Sequence, residues 1–195
     1  MALSLPIWPA PARMVPRLVS ARNDLAPAFG GPTNRFARMG SRYALDVEMP
    51  PMKNVDAQDW ADIDDEAATC ILIIRQPGID TGSPGIPRVN GGSQAGSSLI
   101  LDGLTPHYAL QKNQWLTVTT GGQMFSYRAK SAVVADASGN LTVPMRTMLR
   151  VPPANNDVVE IAEPKIEGYV TVTEDAWSVD SAHIVALTFS ITERE

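Results

Sequence analysis

The stretch GGSQAGSS, residues 91–98, is the part of the chain whose spacing comes nearest to known chemistry. Gly91 and Gly96 are separated by four residues and followed by Ser97 and Ser98, the spacing of a phosphate-cradling loop. Such a loop works by wrapping backbone N–H groups around a phosphate at the start of a helix, with a lysine reaching the terminal phosphates. Here Ser97 stands where the lysine belongs, and the preceding SPGIPRVN does not read as a buried strand. The following LILDGL is β-like and too short for a helix. Residues 91–96 are therefore expected to be irregular and exposed, with no nucleotide: an open doorway between two parts of the fold.

The other residues capable of chemistry are scattered. His107 and His183 are isolated, no G-x-S-x-G motif accompanies them, and each reads as a surface or packing histidine. Asp59, Asp62, Asp64, Asp65 and Glu66 form an acidic cluster. A calcium loop needs a glycine at its sharp turn and oxygens at alternate positions, and this segment reads as a solvated helix face instead. Asp136, Ser138 and Asn140 alternate within DASGN, which supplies too few ligands for a cation and reads as a hairpin turn. Cys70 lies in the apolar run ATCILII and is expected to be an inert, buried thiol. Trp8, Trp60, Trp115 and Trp177 each adjoin apolar segments and are read as core. No catalytic, cofactor-binding or metal-binding residue is assigned.

The elements that carry these residues are mostly strands. Sixteen prolines and fourteen glycines among 195 residues favour turns over long helices. MVPRLVSA is an extended candidate near the start. In SRYALDVEMPP, Tyr43, Leu45, Val47 and Met49 alternate with Arg42, Ala44, Asp46 and Glu48, a strand that Pro50-Pro51 ends. VDAQDWADIDDEAAT predicts the one helix, about 56–68, capped by Asp56 and with Trp60, Ile63 and Ala67 on its apolar face. CILIIR predicts a short strand buried on both faces. Residues 76–98 lack periodicity and read as loop, with 76–87 a linker.

Beyond them, SLILDGL, QWLTVTT and QMFSYRA, SAVVADASGNLTVPM, DVVEIAE, GYVTVTED, AWSVDS and HIVALTFSITE read as closely spaced strands. Gly121-Gly122 suits a two-residue primed hairpin turn, and Ser138-Gly139-Asn140 a second bend. The fold class expected is mainly β: a sandwich or split barrel with one short helix, plus an inserted small β-barrel. The discontinuous main part would join 1–75 to 165–195, and the insert would span 88–163.

Net charge is −5, unevenly spread. Residues 1–45 hold six arginines against Asp24, and residues 152–195 hold nine acids against Lys165 and Arg194. The two ends either neutralise each other within one fold or form complementary patches for neighbouring subunits. On the second reading Arg35, Arg38 and Arg42 face Glu160, Glu163 and Glu167 of the next copy. The acidic total and the lack of interleaved aromatics argue against nucleic acid. No apolar run approaches the roughly 20 residues of a spanning helix. MALSLPIWPAPARMVPR lacks the basic leader and apolar core of a signal peptide, so assembly in a cytoplasm is expected.

Several stretches, taken in order, resemble the minor tail and distal-tail (hub) proteins of long-tailed bacteriophages and prophages. They are GSRYALDVEMPPM, DAQDWADI, VNGGSQAGSSLILDGL, VVADASGNLTVPM and DAWSVDSAHIVALTFSITE, which together cover most of residues 38–195. The resemblance implies a tail-tube or hub-like β domain and a structural virion protein, not an enzyme, with no catalytic residues to transfer. It implies a ring of identical copies, hexamer or trimer, beneath the tail tube, joining it to tip, fibre or baseplate proteins. The alternatives are a head–tail connector or tail terminator, and a carbohydrate-binding adhesin module with Trp115 or Tyr127 as its stacking platform.

Overall fold

The computed structural model describes residues 2–60, 63, 68–179 and 184–194. The first strands are Leu3–Ser4 (β1), Arg13–Val19 (β2), Asn23–Leu25 (β3), Asn34–Phe36 (β4), Arg42–Glu48 (β5) and Met52–Lys53 (β6). The helix Asn54–Gln58 (α1) and the strand Cys70–Ile73 (β7) follow. Next come Gly85–Val89 (β8), Ser98–Leu104 (β9), Ala109–Leu110 (β10), Trp115–Thr120 (β11), Gln123–Arg128 (β12), Val133–Val134 (β13), Leu141–Pro144 (β14) and Val158–Glu160 (β15). Two long strands, Lys165–Val179 (β16) and Ile184–Glu193 (β17), close the chain. With 47% strand against 3% helix, the protein is mainly β, with a curled half-barrel sheet and, among the described residues, one short α-helix.

The strands form two principal sheets, each with its own core. The first runs β1-β7-β16-β17-β5-β2, with β6 also paired to β17. Its interior gathers Tyr43, Leu45, Val47, Leu72, Ile166, Leu187, Phe189 and Ile191 around Trp60 of the helical corner. The second runs β12-β11-β15-β8-β9-β14 and encloses Leu99, Leu101, Leu116, Val118, Tyr127, Val143 and Ile161. This sheet curls: just beyond β12 and β14, which lie at opposite edges, Ala129 bridges Met145. Trp115 belongs to the second sheet by backbone and to the first core by side chain, meeting Tyr43 edge-on at 4.6 Å between ring centroids.

Period-two patterning accounts for the strands that frame the first core. Tyr43, Leu45, Val47 and Met49 are all buried, as are Val185, Leu187, Phe189 and Ile191. Asp46, on the opposite face of β5, accepts hydrogen bonds from Arg17 of β2 and from the Ser190 hydroxyl of β17. Those bonds hold the Asp46 carboxyl below the usual carboxylate range, Arg17 being the largest cause. The β11–β12 hairpin turns at Gly121-Gly122, whose φ values of 59° and 79° are those a primed turn requires.

Several expectations change. The helix starts at Asn54 with Lys53 as its N-cap, so Asp56 lies inside the first turn and does not cap it, and Asp59-Trp60 already form a turn. Trp60 and Ile63 are buried as expected, while Asp62, Asp64, Asp65, Glu66 and Ala67 lie outside the described residues. β7 is buried on one face only: Cys70 and Leu72 are enclosed, Ile71 and Ile73 half-buried. The segment 76–98, read as loop, contains β8. VVADASGNLTVP is not a hairpin, because β13 pairs with β10 and β14 with β9. The turn itself forms, with Asp136 accepting from the N–H groups of Ser138 and Asn140, but the flanking strands diverge.

Gly139 sits in that turn at φ 80°, and a Cβ there would run into the Leu104 carbonyl. Gly139→Ala is expected to lower stability by about 2 kcal/mol or more, from left-handed strain plus the clash with backbone. Denaturant unfolding checks this, and an unchanged midpoint would count against the tight β9–turn–β14 packing.

Candidate interaction surfaces

The basic residues expected at a subunit contact fall on a projecting arm. β2 and β5 pair over their whole length, from Arg13↔Glu48 to Val19↔Arg42. Beyond Val19 and Arg42 the hairpin continues through Ala21, whose N–H reaches the Ser41 hydroxyl, into the separate β3–β4 ladder. Residues 22–40 are exposed without a break. Leu25, Phe36 and Met39 lie more than half open, and Phe29 at the tip is fully exposed, at 102%. Arg35 hydrogen-bonds Asp24 across the ladder at 2.9 Å, and Arg22 approaches the same carboxylate at 3.7 Å. Arg38 is exposed near the arm's base, whereas Arg42 is half-buried in β5 and already engaged.

The acidic residues separate into surface and interior. Glu163 is exposed, and its N–H donates to the side chain of Glu160, which is half-buried at the end of β15. Glu167 is not a surface residue: it is 3% exposed and serves the interior. Its Oε2 accepts from the Met124 N–H at 2.8 Å, its Oε1 accepts from the Thr69 hydroxyl, and Arg194 lies 3.6 Å away.

Glu193 repeats this arrangement one strand over. Its Oε1 accepts from the Ser126 N–H at 2.6 Å and its Oε2 from the Tyr43 N–H at 2.7 Å. Arg150 pairs with it at 2.8 Å, both side chains almost fully enclosed, and the guanidinium also lies over the Phe125 ring. Met124 and Ser126 are two residues apart on β12, an edge strand of the second sheet. The carboxylates of β16 and β17 thus receive the outward N–H groups that a further strand would otherwise take. Alongside them, the Lys165 carbonyl accepts from the hydroxyls of Thr117 and Ser126, and Trp115 N–H donates to Gln76. Burial pushes the Glu193 carboxyl up, against the opposing pull of Arg150 and the two N–H groups.

Glu193 was legible as an anomaly, because it continues the buried phase of Val185, Leu187, Phe189 and Ile191. A charge on that phase must find partners inside. Arg150 gives no such signal, since it lies in a loop without periodicity.

The remaining candidates resolve simply. The loop 91–96 is irregular as expected, but it is not a doorway: it joins β8 to β9 within the second sheet. A strand does precede it, yet the next element is another strand, so no helix start is offered to a phosphate. Gln94 ties the loop together through the carbonyls of Asn90, Gly91 and Ile100 and the Ile100 N–H, and Asn155 accepts from Gly91. Trp115 and Tyr127 are 5% and 1% exposed, which removes the proposed sugar-stacking platform. Trp8, read as core, is 76% exposed. His107 is exposed, Cys70 is buried, and His183 lies outside the described residues. Among the described residues no three His, Cys, Asp or Glu side chains gather as a metal site, and no helix is long and apolar enough to cross a membrane. The chain matches no protein-family model and no curated protein.

Glu193→Ala leaves Arg150 buried without its counter-charge and opens two N–H groups, an expected loss of about 3–5 kcal/mol. Glu193→Gln keeps one acceptor and should lose less. Equilibrium unfolding of both variants decides this; losses under about 1 kcal/mol would mean that the two sheets are held by other contacts.

Proposed function

We propose that this protein is a structural component of a bacteriophage tail, a hub that forms a ring of identical copies between the tail tube and the tip, fibre or baseplate proteins. The observation that carries this reading is the arm of residues 22–40, folded as a hairpin yet exposed along its whole length, with large apolar side chains at its tip. A two-stranded hairpin alone is marginal in water, so an arm of this composition is suited to lie against another subunit. The order of the segments quoted above supports the tail assignment, and the mainly β body supports it at the level of fold class. Its work is done by surfaces: the arginine-bearing arm on one side, Glu160 and Glu163 on another.

Electron microscopy of the purified protein is the test. A ring with a central channel is the expected result, and a persistent monomer would overturn the reading. The double reversal Arg35→Glu with Arg38→Glu should weaken the ring, more severely at low salt than at high salt. Arg42 is left out because its half-buried place in β5 would mix assembly with folding.

A further inference from the structure

The molecule carries an apolar groove at the end of the β2–β5 pair opposite the arm. Where the chain enters β2, an open groove of about 640 Å³ runs between the N-terminal segment and the loop after β7. Its apolar lining includes Leu5, Ile7, Met14, Ile73, Pro77 and Ile79. The groove lies at the Arg13 end of β2, which Ala12 and Met14 place beside it. The arm leaves from the Val19 end, roughly 20 Å away at about 3.3 Å per residue, and continues the hairpin outward. The two features therefore sit at opposite ends of one strand pair.

Their charges are opposed as well. Between residues 20 and 41 the arm holds Arg22, Arg35 and Arg38 against Asp24, a balance of +2. Around the groove stand Glu163, Asp80 beside Ile79, and Glu160 in the adjoining hollow that shares Ala162, against Arg75 and Arg13 between Ala12 and Met14, a balance of −1. We infer that the arm of one copy docks into this groove of a second copy, with the Phe29 ring among Ile73, Pro77 and Ile79 and the arm's arginines over the acidic rim. Such a contact is heterologous: each copy gives an arm and receives one, so the chain of contacts closes into a ring or grows into a filament. The inference stands apart from the tail reading, because a filament would keep the contact and remove the hub.

Site-directed cross-linking of the full chain tests it. Cys70, the single native cysteine, is buried, so background is low. One preparation carries Phe29→Cys and a second, distinguishable by tag, carries Ile79→Cys. On mild oxidation the mixture should give a product of twice the 21.0 kDa monomer mass containing both tags, and neither preparation alone should give it. Separately, Phe29→Asp should raise the apparent dissociation constant of self-association by about tenfold or more. At a dilution where both proteins are monomeric, its thermal midpoint should match that of the unaltered chain, because Phe29 is fully exposed in the single chain. Absence of the mixed product, a monomer at every concentration, or unchanged assembly in Phe29→Asp would overturn the docking. A mixed product found in open filaments would sustain the docking and refute the ring, and a ring without the mixed product would do the reverse.

Discussion

The molecule depends on how one sheet edge is closed. β12 ends the second sheet, and an open strand edge exposes a row of backbone N–H and C=O groups that seek partners. Instead of another strand, β12 meets two carboxylates, Glu167 for Met124 and Glu193 for Ser126. Each belongs to a long strand of the first sheet, so satisfying the edge and joining the two sheets are the same event. Arg150 completes the arrangement by bringing a positive charge against Glu193 while its flat face covers Phe125. A buried cluster of this kind adds little net stability after desolvation, but it tolerates few alternative geometries, so its effect is on register.

That fixed register matters for what lies outside it. The arm grows from the β2–β5 hairpin, and β5 is tied by its Tyr43 N–H to Glu193. The same β5 is zipped to β17 from Thr188↔Glu48 to Thr192↔Ala44. On the groove side, Ile73 belongs to β7, which pairs with the opening of β16 from Lys165 to Gly168, Glu167 included. Arm and groove are thus both anchored within a few residues of the carboxylate cluster. On the proposed docking of one copy's arm into the groove of the next, a rigid relation between arm and groove would set the angle between successive copies.

The fold was legible where side-chain period and turn chemistry act locally. The alternation in β5 and β17 places their buried faces correctly, and Gly121-Gly122 marks a real hairpin. Legibility failed where partners are distant in sequence. Asp136 to Asn140 makes the turn its residues predict, yet β13 and β14 diverge to separate neighbours, which no local pattern encodes. GGSQAGSS looked like a doorway because glycine and serine dominate it. Gln94 and Asn155 pin it as a hairpin loop, and Asn155 is brought there by the fold. Counting charges by segment grouped Glu167 with Glu160 and Glu163, although burial divides them. The signal was present for Glu193, an acid on an apolar phase, and for Phe29, a large apolar residue in a Gly/Pro-rich stretch.

The carboxylate closure of β12 is tested most directly by hydrogen exchange at the Met124 and Ser126 amides. Both should be protected to about the level of Val118 in neighbouring β11, despite lying on an edge with no strand beyond it. Exchange as fast as at the open edge of β2 would show that Glu167 and Glu193 do not hold those groups, and that the two sheets are joined in some other way.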